Sequence, residues 1–171
     1  MVKLDMVTEI ISFILSNIPL VCLMLALIIS AFQIGFQHRS KAVLLAWLLL
    51  LPVGVAGLWA FIFHAFFPSI TDNMIGWAYS PFEFEVAMAN LGMSALGVLG
   101  FRSSLGFQKA GVLFTAIFLW GAAVGHIYQM VSHHNFDPGN AGAIFWTDIL
   151  IPIVLIVALN LKETQDGIKD V

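Results

Sequence analysis

Residues 42–67 read AVLLAWLLLLPVGVAGLWAFIFHAFF, a stretch without Lys, Arg, Asp or Glu, in which His64 is the only side chain that ionises near neutrality. A helix rises 1.5 Å per residue and needs about 20 apolar residues to cross a ~30 Å hydrocarbon core. This run meets that length. Working outward, residues 10–36, 81–101, 110–131 and 142–161 are apolar stretches of comparable length. The expected fold is all-α: a polytopic membrane protein, a bundle of about five transmembrane helices forming one domain over residues 1–171.

Composition agrees. Of 171 residues, 60% are hydrophobic and 10% charged, with a mean hydropathy of +0.97. A soluble domain carries roughly 25% charged residues. Disorder, a soluble enzyme and a nucleic-acid module are excluded together, because the seven Lys and Arg are few and dispersed. The implied partner is the lipid bilayer, with no nucleic acid. Cys22 is the single cysteine, so no intrachain disulfide forms. The first apolar run is read as a retained span, since Asp5 and Glu9 accompany Lys3 before it and no clear small-residue cleavage site follows.

The connectors sort by charge. Arg39, Lys41, Arg102, Lys109, Lys162 and Lys169 lie in connectors or tail on one side, and only Lys3 lies on the other. The positive-inside rule then sets an N-out, C-in topology. Residues 68–80 and 132–141 form outer loops without Lys or Arg. Ser80, Pro81, Phe82 and Glu83 spell a capping box, and Asp137 before Pro138 reads as a cap for the last span. Pro52 and Pro152 are expected to interrupt their spans, each removing a backbone donor. Trp59, Trp77 and Trp146 suit an interfacial belt, whereas Trp120 lies too deep.

Strongly polar side chains at a bilayer centre cost on the order of 2.5–3.5 kcal/mol each. Glu83 is accounted for by the cap. Glu85, 200° around the helix from it, needs a buried partner. With His64, His126 and Asp148 it falls roughly 5–10 Å below the outer boundary by helical rise, so four helices contribute an ionisable group to one layer. Thr115, Ala122, His126, Gln129 and His133 fall along one stripe of their helix. Asp148 precedes Pro152 by four residues, where an opened turn presents oxygen ligands. The third span is rich in small residues around Asn90, which suits a central helix, and Gly121 with Gly125 favours close packing in the fourth. The expected pocket in the outer half comprises Glu85, Asn90, His126, Gln129, Asp148, His64 and Asn140.

The segments GWAYSPFEFEVAMANLG (76–92), GAAVGHIYQ (121–129) and PGNAGAIFWTDILIP (138–152) resemble a family of small uncharacterised prokaryotic integral membrane proteins. The resemblance covers the C-terminal 100 or so residues and implies a multi-pass protein of the cell membrane, a prokaryotic inner membrane. Glu85, Asn90, His126, Asn140 and Asp148 occupy its motif positions. It implies no activity, substrate or cofactor.

Three functions compete. The first is binding or transport of a small solute, proton or cation, for which five helices favour a homo-oligomer. The second is metal or redox chemistry, with a transition metal held by Glu85, His126 and Asp148, or haem ligated axially by His126 and His64. The third is a scaffold whose polar groups only fix helix register. There is no nucleophile motif, Walker A loop, dinucleotide fingerprint or haem-attachment CxxCH, and no enzymatic activity is assigned.

Overall fold

The computed structural model describes residues 13–14 and 16–169, with side chains through Lys162. Lys3, Asp5, Glu9, the first residues of the expected first span and the side chain of Lys169 lie outside the described residues. The described chain is all-helical. Helix α1 spans Ile18–Gly35, with Pro19 in its first turn where no intrahelical donor is needed. Helix α2 (Ala42–Leu48) runs through a π-helical segment, Leu49–Val55, into α3 (Ala56–Phe66). Helix α4 (Pro68–Ile75) follows, then α5 (Glu83–Gly100), α6 (Leu105–His133), the short α7 (Pro138–Ala141) and α8 (Ala143–Lys169).

Among the described residues, four helical stretches are long and apolar enough to cross a membrane: Ile18–Gly35, Ala42–Phe66, Leu105–His133 and Pro138–Lys162. Their outward faces carry exposed Ile28, Leu113, Ile117, Val124 and Val131. An aqueous surface does not tolerate so extensive an apolar band, whereas lipid does. The protein is a helical membrane protein. Helix α5 matches the others in length class but carries Glu83, Glu85 and Asn90, and it is not among those four.

Pro52 does not end its span. Its ring and missing N–H disrupt the α-helical ladder, and the local widening to a π-helix absorbs the defect while the axis continues. Ser94 Oγ on α5 donates to the Gly54 carbonyl in the widened segment at 2.7 Å. Gly97 of α5 lies against the backbone of Gly54 and Leu49, so close that a Cβ there would collide with main-chain atoms. This contact draws α5 onto the α2–α3 span. Pro152 likewise lies inside a continuous α8. Leu45, Leu48, Leu49, Val53, Ile151 and Leu155 are almost completely buried and form the core between these helices.

Two further expectations change. The stretch 68–80, read as an outer loop, contains α4; Pro68 at its start and Gly76 at its end, with φ 69°, are its sequence signals. The capping box does not form as read. Ser80 Oγ accepts from the Phe82 amide at 3.3 Å, but α5 begins only at Glu83, whose side chain turns to α3 instead. Asp137 precedes α7 rather than the last span and caps it without a side-chain hydrogen bond; its carbonyl accepts from the Asn140 and Ala141 amides.

Candidate functional site

A cavity of about 410 Å³ lies at the end of the bundle where α3 and α6 finish and α5 and α8 begin. Its walls are mostly apolar, with Met93, Leu119 and Ile151 among them, and α4 contributes Thr71 and Met74. Its polar lining includes His64, Asn90, His126 and Asp148, one from each of α3, α5, α6 and α8.

Asn140 organises one wall. It is fully buried in α7, behind the cavity lining. Its Oδ1 accepts from Trp77 Nε1 at 2.8 Å, and its Nδ2 donates to the carbonyls of Asn135 at 2.9 Å and His126 at 3.3 Å. An indole N–H only donates and a carbonyl only accepts, so these partners fix which end of the amide is oxygen. The same Oδ1 lies 2.8 Å from His126 Nδ1. An oxygen acceptor requires a proton on that nitrogen. His126 is thereby held with Nδ1–H toward Asn140, and Nε2 is left facing Asp148 Oδ2 at 3.6 Å.

The consequence is a count of protons. With Nδ1 protonated, Nε2 either bears a lone pair or carries the proton of an imidazolium. Opposite a buried carboxyl, a neutral imidazole is compatible with the acid form, and an imidazolium with the carboxylate. Both arrangements keep one proton between Nε2 and Oδ2. Its removal would set a lone pair against an anion away from water, which is costly. The separation of 3.6 Å is just beyond hydrogen-bond length. Trp77 packs on the imidazole with ring centroids 5.3 Å apart, limiting the orientations of His126.

A second pair stands on the α3–α5 side. His64 Nδ1 lies 3.2 Å from Glu83 Oε1, with the Glu83 side chain buried; Glu83 Oε2 is buried without a hydrogen-bond partner among the described residues. Asn90 Nδ2 donates to the Val86 carbonyl at 2.9 Å while the residue lines the cavity.

Three expected site residues take other places. Glu85 is exposed and does not line the cavity, because the helix start at Glu83 directs Glu83 toward α3 and Glu85 to the opposite side. Gln129 is half-buried outside the lining, and Asn140 acts from behind through His126. With Glu85 apart, the expected metal ligands Glu85, His126 and Asp148 do not converge; among the described residues no three His, Cys, Asp or Glu side chains form a metal site. Sequence reasoning missed Trp77, taken for an interfacial residue, and the pairing role of Glu83.

Fold and site together define a small helical membrane protein with a buried imidazole–carboxyl pair beside an apolar cavity. Residues 16–167 match a family of unknown function, DUF6790, and the chain belongs to that family. Comparison with curated proteins and with solved structures gave no match.

Proposed function

We propose that the chain is a five-span protein of a prokaryotic cell membrane, oriented N-out and C-in, whose outer cavity binds or passes a small solute in step with a proton. The observation that carries this reading is the His126–Asp148 pair at 3.6 Å on the wall of a cavity of about 410 Å³. That volume lies at the lower end of the range for small-molecule sites. The apolar walls suit a compact solute with a hydrocarbon or aromatic body. His126, Asp148, His64 and Asn90 supply hydrogen bonds for a single polar end. A solute that donates to or accepts from the pair redistributes its one proton, which couples occupancy to proton position.

Helix α5 is the fifth span in this reading. Its acids lie in its first turn, near the outer boundary, and its small residues pack against α2–α3. The basic connectors supply the orientation. Haem ligation fits less well, since His126 Nε2 faces Asp148 and Nδ1 is held by Asn140.

Cysteine at Ala122, which lines the cavity, tests the reading in a Cys22→Ala background. An impermeant methanethiosulfonate added outside intact cells should label it, and 2-naphthol, a compact aromatic alcohol, should slow the labelling. Labelling only from the inner face, or a rate indifferent to 2-naphthol, would contradict it.

A further inference from the structure

At the other end of the bundle, the α1–α2 connection, the α5–α6 connection and the end of α8 enclose an open cleft of about 500 Å³. Arg39, Arg102 and Lys162 line it, each from a different one of these segments, with His38 beside them and no carboxylate among its described lining residues. We infer that this cleft binds the phosphate of an anionic phospholipid headgroup.

The cations are placed by the fold. His38 adopts a left-handed backbone, φ 50°, unusual for a residue with a side chain, and the next amide, that of Arg39, bonds back to the Gln33 carbonyl at 3.0 Å. The turn therefore brings Arg39 to the cleft through a defined backbone path. Arg102 lies over the ring of Phe101, 5.5 Å from its centroid, and that ring packs edge-on against Trp47 at 5.1 Å. Lys162 Nζ donates to Gln108 Oε1 at 2.7 Å, and Gln108 Nε2 is anchored to the Gly100 carbonyl at 2.8 Å. An ammonium has three donors, so one anchoring bond leaves capacity for an anion.

The remaining walls favour a lipid as the source of the phosphate. Val43, Ala46 and Phe101 line the same cleft and provide apolar surface beside the charged groups. A headgroup engaging Arg39, Arg102 and Lys162 then has apolar wall for the start of its acyl chains. Basic pockets between spanning helices recognise anionic headgroups in this manner.

Native mass spectrometry of the full chain in detergent, titrated with dioleoyl-phosphatidylglycerol or dioleoyl-phosphatidylcholine, tests the site. Phosphatidylglycerol should bind in preference, and the double variant Arg39→Gln/Arg102→Gln should weaken it by about tenfold or more, because each guanidinium lost removes charge-assisted hydrogen bonds to the phosphate. Lys41→Gln/Lys109→Gln, an equal charge change outside the lining, should leave the affinity nearly intact. Equal losses in the two double variants, or equal binding of both lipids, would overturn the site. Inorganic phosphate that displaces phosphatidylglycerol at equal concentration would overturn the lipid source; its failure to do so supports it.

Discussion

Asn140 Oδ1 accepts from two rings at once, lying 2.8 Å from Trp77 Nε1 and 2.8 Å from His126 Nδ1. A single amide thus joins the segment after α4, helix α6 and helix α7, and sets the tautomer of the histidine that faces Asp148. Each buried partner left unpaired costs about 1–3 kcal/mol. Asn140→Leu should lower the thermal unfolding temperature in detergent more than any single substitution of the exposed polar residues. Retention of wild-type stability would mean that the hub contributes nothing.

Glu83 and Glu85 should part in the opposite sense to the one their sequence suggests. Glu85→Gln, at an exposed position, should change stability by no more than about 0.5 kcal/mol. Glu83→Gln removes the carboxylate facing His64 and should be the more damaging, as should His64→Leu. The double variant Glu83→Gln/His64→Leu should cost less than the sum of the two single changes, because the partners share one interaction. Strict additivity in thermal melts would contradict the pairing.

The crossing of α5 on the π-helical segment predicts a sharp contrast between two glycines. Gly97→Ala places a Cβ into the backbone of Gly54 and Leu49, which cannot rotate away as a side chain would, and should strongly destabilise or prevent folding. Gly92→Ala, on the same helix with nothing within 4 Å of its Cβ, should be neutral or stabilise by roughly 0.5–1 kcal/mol. Expression yield and melting temperature of the two variants provide the comparison.

Topology is read by labelling. In a Cys22→Ala background, cysteine at Asn73 should react with an impermeant thiol reagent outside intact cells, and cysteine at Gly106 should react only after the membrane is opened. Both positions are exposed. The reverse pattern would invert the proposed orientation.

The helices were legible because length and apolarity are properties of a run, readable without knowledge of its neighbours. His64, Asn90, His126 and Asp148 could be singled out for the same reason: depth along a helix follows from counting residues. Direction around a helix is harder. Ser80 to Glu83 satisfies the local pattern of a capping box, yet the choice between the cap amide and His64 depends on α3, 19 residues away in the chain at His64. Once Glu83 turns inward, the 200° offset sends Glu85 outward. Trp77 looked like a belt residue because an indole suits an interface; its partner at Asn140, 63 residues on, leaves no mark in the sequence around it. The α4 helix was marked by Pro68 and Gly76, but an outer loop was the simpler reading of a segment too short to span.

The central claim is that Asn140 holds the Nδ1 proton of His126 and so directs Nε2 to a proton shared with Asp148. The direct measurement is the 15N spectrum of histidine-labelled protein in lipid, with His126 assigned by its loss in His126→Gln. The account predicts a protonated Nδ1 throughout, and a shift of the Nε2 resonance, with Nδ1 still protonated, in Asp148→Asn. An unprotonated Nδ1, or an Nε2 resonance unmoved by Asp148→Asn, would contradict it.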